Sequence, residues 1–407
     1  MNTERYVVGM NTERYCTVGM NTDGRGRGTC CTFFAVCMLA TLMMLATSLP
    51  RRPVDVGGRL RHCALSMSLS PKDVAAVANA AKIRLSEPLT MPKRLSPTAV
   101  STFKECPQLF LFNNMWKLPQ PPSAVLTKGI LVHAALEKVF DLPPAKRAEM
   151  LHDVLRDEWR VERLKPPRDR SDDTALVDLL FSTVDEERTW GKECLKLLDN
   201  WRATEDPSAP PLGEPMAREA WLSAKLDTGR FSSQRLPPLS MVGKVDRLDR
   251  MPAGADGTDS YDGVVIVDYK TGKAPDLNKY SSAMNEEIRQ KTFFQLRCYA
   301  LLLAKGGLGG AYSGRSTLAR RLRLLYLAES PGGAEGLATP LEEELPPPNS
   351  PTYDQVLEAT EAEVVAAWAE IHALVQRGEP EAFEHCTRSF CQCHQLRPIV
   401  FDSVRDA

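Results

Sequence analysis

Val264-Val265-Ile266-Val267-Asp268-Tyr269-Lys270-Thr271-Gly272-Lys273 is the stretch on which the fold of this chain turns. Its four leading apolar residues predict a buried strand that ends in Asp-x-Lys. Successive side chains of a strand point to opposite faces, so Asp268 and Lys270 share one face and Tyr269 takes the other. A carboxylate and an ammonium at the end of a buried strand are costly to desolvate unless they are paired or bind something. Upstream stands Gly243-Lys244-Val245-Asp246-Arg247-Leu248-Asp249, which places Asp246 22 residues before Asp268. Acids on neighbouring strands with a lysine beside them predict a divalent-cation site.

Working outward, strands are predicted near 217–226, 239–249, 264–270 and 322–328, with the Gly- and Asp-rich 253–263 as a loop between antiparallel neighbours. Ser96 and Pro97 open a helical segment that runs to Trp116, with Ser96 as its cap and Pro97 in its first turn. Further helices are predicted over Lys128–Phe140, about 286–304, and Tyr353–Gln376 before Gly378. Residues from about 145 to 205 read as a helical insertion broken by Pro166-Pro167. Helices around a central mixed sheet make the class α/β, or α+β.

The first ninety residues differ from this body, which begins near Met91. Gly28 to Pro50 carries no charge and Phe33 to Leu49 is strongly apolar, with Arg25 and Arg27 before the run and Ala46, Thr47 and Ser48 near its end. Segment 20–50 therefore reads as a secretory signal, with a membrane anchor as the alternative. Segment 51–70 holds Arg51, Arg52, Arg59 and Arg61 against the single acid Asp55 and reads as transit-like. A two-part leader of this kind points to a plastid, with the mitochondrion as runner-up.

The 407 residues are 43% hydrophobic and 25% charged, ordinary for a globular protein, and the formal net charge is −1. Bulk charge thus gives no sign of a polyanion partner, and any such site must come from local clustering. The eleven cysteines, five of them in the first ninety residues, do not form a small disulfide scaffold.

Mg²⁺ or Mn²⁺ held by carboxylates can activate water, neutralise phosphate charge and stabilise a leaving oxygen. Asp246 and Asp268 are suitable hard ligands, and Lys270 can orient the attacking water or stabilise developing charge. A solvated ion pair at a strand end is the bland alternative. On the helix around Gly129, His133 and Glu137 share a face at i and i+4, and an imidazole there can complete a metal site or simply pack. Gln295 and Tyr299 share another face, with Lys291 one turn earlier, and could line a groove for a nucleic-acid backbone.

Read in order, Ser96-to-Phe112 with Cys106-Pro107, Gly-x-x-x-His-x-x-Leu-Glu, Gly-x-x-Asp-Arg-x-Asp, Asp-Tyr-Lys-Thr-Gly and Gln-x-x-x-Tyr-Ala resemble RecB-family nucleases of the PD-(D/E)XK superfamily. The resemblance spans roughly 91–401. It implies a restriction-endonuclease-like core and metal-dependent DNA cleavage. It puts His133, Asp246 and Asp268 at the metal, Lys270 as the catalytic lysine, and Gln295 and Tyr299 in support. Many relatives hold a [4Fe–4S] cluster with one cysteine before the core and three after it. Cys106 fits the first position, and Cys386, Cys391 and Cys393 in the C-terminal segment 379–401 supply the count. Their spacing is irregular, and Arg397-Pro398 stands where Cys-Pro is expected. Zinc bound with His394, or a lost site, are the alternatives.

No Gly-x-x-x-x-Gly-Lys-[Ser/Thr] occurs, so a helicase would have to be a separate partner. The leading expectation is a DNA exonuclease on single-stranded or unwound DNA, working in repair or recombination. A non-catalytic nucleic-acid-binding descendant is the alternative, and a membrane-anchored interaction protein a third class.

Overall fold

The computed structural model describes residues 69–167, 173–210, 213–251, 263–308, 318–328 and 340–402. The signal-like and nearly all of the transit-like segment lie outside these residues, and with them the plastid and anchor readings; so does all but the end of the 253–263 loop. Among the described residues no helix is long and apolar enough to cross a membrane.

Val264, Val265, Ile266 and Val267 are fully buried, as a strand covered on both faces must be. They belong to a five-stranded sheet in which β1 (Ala217–Leu226), β2 (Leu239–Arg250), β3 (Val264–Lys270), β4 (Ala319–Tyr326) and β5 (Leu341–Glu344) lie side by side in chain order. Neighbours are antiparallel except β3 and β4, which run parallel. A parallel pair needs a crossover, and helix 282–306 supplies it. The sheet is therefore mixed and flanked by helices, as expected.

The longer helices are α1 (Pro71–Leu85), α2 (Pro97–Glu105), α3 (Ala124–Lys138), α4 (Pro144–Glu162), α5 (Val184–Thr204), α6 (Ser282–Gly306) and α7 (Pro351–Arg377). On one face of the sheet, Val264, Ile266, Leu322 and Leu324 share a core with α1, α2, α6 and α7. On the other, Val265, Val267, Tyr269 and Leu325 share a core with α3, α4 and α5, so the predicted insertion covers half of the sheet.

Three features depart from the sequence reading. Helix α1 lies within the stretch assigned to the leader, yet Val77 and Ala81 are buried in the main core, so the folded body begins before Met91. The helix expected from Ser96 to Trp116 breaks at Cys106, whose backbone is extended at φ −159° and ψ 96°. Pro107 disfavours the helical conformation of the residue before it, and a short helix restarts at Pro107–Phe110. Strand β5 has no apolar pattern; Arg321 and Arg323 of β4 pair with Glu342 and Glu344 across the strands.

At Gly243 the Tyr299 ring lies against bare backbone, and a methyl group there would sit 2.6 Å from Tyr299 Cε1. Both partners are in the core, so the ring has little room to give. Gly243→Ala is expected to lower stability by ~1–3 kcal/mol, read from thermal or denaturant unfolding.

Candidate active site

The ladder between β2 and β3 pairs Arg250 through Arg247 with Val264 through Val267 and then stops. One step beyond, Asp246 and Asp268 face each other across the opening. Asp246 does not continue the backbone ladder; its Oδ2 accepts the Tyr269 N–H at 2.8 Å. Alternation along β2 also breaks here, because Val245 and Leu248 both enter the main core although they are three residues apart. Opposite Asp246 on β1, where the ladder skips a position between Arg218↔Arg247 and Ala220↔Val245, stands Glu219, a non-glycine residue at φ +47°. Backbone conformations of this kind cost on the order of 1–3 kcal/mol and concentrate at functional sites.

His133 enters from α3, with Nδ1 3.4 Å from Asp246 Oδ2 and its ring edge-on to Tyr269. His133, Glu219 and Asp246 each offer a ligand atom within 4.8 Å of the others. All three line an open cleft of about 610 Å³ that Glu137 and Lys244 also border. Lys244 forms an ion pair with Glu219. Asp268 is nearly inaccessible, with a side chain 4% exposed. Lys270 Nζ lies 2.6 Å from Asp268 Oδ2, but the contact is not aligned as a hydrogen bond, and that buried oxygen has no hydrogen-bond partner. Lys270 donates instead to Gln295 Oε1 at 3.1 Å, and Gln295 Nε2 donates to the Tyr299 hydroxyl at 2.8 Å. A divalent cation fits this donor set: two carboxylates and an imidazole converge, and a third carboxylate carries an oxygen without a donor.

The structure thus gathers His133, Asp246, Asp268, Lys270, Gln295, Tyr299 and Glu137 around one end of β3. Lys291 is not among them. It lines a different cleft and its ammonium bonds Glu287 Oε1 at 2.6 Å. Glu219 escaped the sequence reading. It lies in no motif, and its place depends on β1–β2 register and on a left-handed backbone that glutamate rarely adopts.

Burial raises the Asp268 carboxyl to about 6; Lys270 opposes this and the facing Asp246 adds to it. Burial also raises Glu219, with Lys244 opposing and Asp246 reinforcing. His133 is raised overall, because Asp246, Asp268 and Glu219 outweigh the burial that lowers it. A carboxyl whose pKa is higher folded than unfolded contributes stability below its unfolded value and loses it as pH rises through the folded one. For Asp268 that window runs from about pH 4 to about pH 6. In chelator, Asp268→Asn is therefore expected to gain stability relative to the parent as pH rises through this window. Thermal melts at pH 4 and 7 check it; a difference independent of pH would contradict a buried carboxylate whose desolvation outweighs its pairing with Lys270.

Beneath the site, on the α5 side, Arg247 is 2% exposed and donates to Glu205 at 2.8 and 3.1 Å, to Asp249 at 2.8 and 3.0 Å, and to the Tyr269 hydroxyl at 2.8 Å. Arg323 Nη1 adds a second cation 3.1 Å from Glu205 Oε1. Burial would raise Glu205, but Arg247 and Arg323 hold it below the usual carboxylate range. This network anchors Tyr269, whose flanking residues are Asp268 and Lys270.

Cys106, Cys386, Cys391 and Cys393 also come together, with sulfur atoms all within 4.8 Å of one another. His394 is not in this group; its ring packs edge-on against His385.

A profile of the PD-(D/E)XK nuclease superfamily matches residues 94–396. No curated protein matches the chain. Among solved structures, one titled "Crystal structure of SSO0001" is similar at 12% identity, covering 73% of this chain and 84% of that one, with a TM-score of 0.26. The matched region holds the whole sheet and every residue of the carboxylate–lysine centre, and this chain belongs to the PD-(D/E)XK nuclease superfamily.

Proposed function

We propose that the chain is a RecB-type deoxyribonuclease that hydrolyses phosphodiester bonds of single-stranded or unwound DNA from an end, with Mg²⁺ or Mn²⁺. The observation that carries the reading is the convergence of His133, Glu219 and Asp246 beside the buried Asp268–Lys270 pair. His133, Asp246 and Asp268, with Glu219 alongside, would hold the ion, which when bound polarises a phosphate oxygen and makes water a stronger nucleophile. Lys270 is held by Asp268 and Gln295, so its ammonium faces a phosphate without having to reorganise. Asp268, at about 6, is largely ionised at neutral pH and holds the Lys270 ammonium in place.

The single-strand preference is supported by the rim of the cleft. Val125, Leu126 and Ile130 of α3 are 72%, 61% and 59% exposed there. Paired bases offer little to such a surface, whereas unstacked bases can pack against it. The intact lysine and carboxylates favour catalysis over a purely binding descendant. Repair or recombination is the process such an activity would serve, with a separate helicase supplying unwound strands and a plastid as the compartment.

End-labelled single- and double-stranded DNA and RNA, incubated with the full chain and Mg²⁺ or Mn²⁺, test this reading. Stepwise loss of nucleotides from single-stranded DNA is expected, and cleavage confined to RNA or to internal duplex sites would refute the substrate assignment. Gln295→Ala should lower kcat ~10–100-fold with little change in KM, because it frees Lys270 without removing it.

A further inference from the structure

The four-cysteine group shares no residue with the candidate active site. Cys106 sits where α2 breaks, and its sulfur accepts the Leu109 N–H at 3.4 Å. The other three come from the C-terminal segment, which is held against the same turn by Gln108 N–H to Glu384 O at 3.1 Å and by Arg388 to Glu105 at 2.7 Å. Cys106, Cys391 and Cys393 are buried, and Cys391 and Cys393 lie on one tight turn closed by His394 N–H to Cys391 O at 3.1 Å.

The sulfur spacing distinguishes between metal groups. Four thiolates bound at about 2.3 Å to one tetrahedral ion stand about 3.8 Å apart. Here Cys386 and Cys393 are 3.9 Å apart, and every pair lies within 4.8 Å. A [4Fe–4S] cubane bonds each cysteine to a different iron, so its four sulfurs must point outward from separate corners and cannot share one ion's tetrahedron. The sequence spacing also departs from the usual cluster pattern, with Cys391-Gln392-Cys393 where Cys-x-x-Cys is expected.

We propose that Cys106, Cys386, Cys391 and Cys393 bind a single zinc ion as four thiolates, in place of the iron–sulfur cluster that the family resemblance implies. The four thiol protons leave to solvent as Zn²⁺ binds, with no change of oxidation state. Zinc with four thiolates carries two net negative charges, and Arg388, two residues after Cys386 in the same segment, brings a positive charge that offsets part of them. The ion would act as a clamp, tying the end of the domain to the turn at its beginning.

The full chain, produced with both iron and zinc supplied and purified anaerobically, tests this by elemental analysis and acid-labile sulfide. One zinc per chain without sulfide is expected. The zinc should be lost in Cys393→Ser and kept in Asp246→Asn, which separates it from any zinc held by the carboxylate site. Replacement by Co²⁺ should give thiolate charge-transfer bands and the intense visible bands of a tetrahedral site, a readout that stands even if Cys393→Ser does not fold. Removing the zinc should lower the melting temperature. A brown protein carrying iron and sulfide would overturn the proposal, and so would a metal-free chain that gives no thiolate–cobalt bands.

Discussion

Lys270→Met is expected to lower the rate of Mg²⁺-dependent cleavage by ~10²–10³-fold while substrate binding changes little, the effect of removing one preorganised charge from a reaction centre. Methionine keeps the length of the side chain but leaves the buried Asp268 without its ion-pair partner, so a thermal melt beside the assay separates loss of fold from loss of charge. Asp268→Asn should be at least as damaging, for it removes the proposed metal ligand and the partner of Lys270 together. The pair should not add: once Asp268 is gone Lys270 loses its restraint, so the double variant is expected to resemble the worse single one. Single-turnover rates at saturating Mg²⁺ decide this. Multiplicative losses would mean that the two side chains act separately.

The second large effect is structural. Arg247→Met removes the cation shared by Glu205, Asp249 and Tyr269, all of them buried. Breaking a buried ion pair from one side leaves uncompensated charge and costs about 3–5 kcal/mol. Arg323 still touches Glu205, which softens the loss, but Asp249 Oδ1 already lacks a partner and gains none. Denaturant unfolding of the metal-free protein measures the change. The loss should be smaller at low pH, where Asp249, raised by burial beyond what Arg247 offsets, takes up a proton more readily. A loss below 1 kcal/mol at neutral pH would mean that the network is solvated.

Much of this architecture was legible because local pattern and tertiary demand agree. Four apolar residues at 264–267 have no reading except a strand buried on both faces, and Asp-x-Lys alternation then places Lys270 beside Asp268. The i, i+4 spacing of Gln295 and Tyr299 likewise survives as a direct hydrogen bond. Lys291 shares that spacing, but a helix turns 3.6 residues per turn, and Glu287 one turn back engages its ammonium. What could not be read depends on long-range geometry. Glu219 becomes a candidate ligand only through its place opposite Asp246, at the position the β1–β2 ladder skips, and its positive φ. Strand β5 is three glutamates after a leucine, and only the arginines of β4 make it a strand. Helix α1 falls in the stretch read as a leader, whose composition says nothing of Val77 and Ala81, and the cysteine spacing reveals a count without a geometry.

The function proposed above rests on a divalent-metal nuclease centre carried by β2 and β3. Its most direct test is release of nucleotides from end-labelled single-stranded DNA by the full chain, in EDTA and across a Mg²⁺ titration, beside Lys270→Met. No release in EDTA, saturable activation by Mg²⁺, and near-background activity of the variant at every concentration are expected. Cleavage that persists in EDTA, or a Lys270→Met variant as active as its parent, would contradict it.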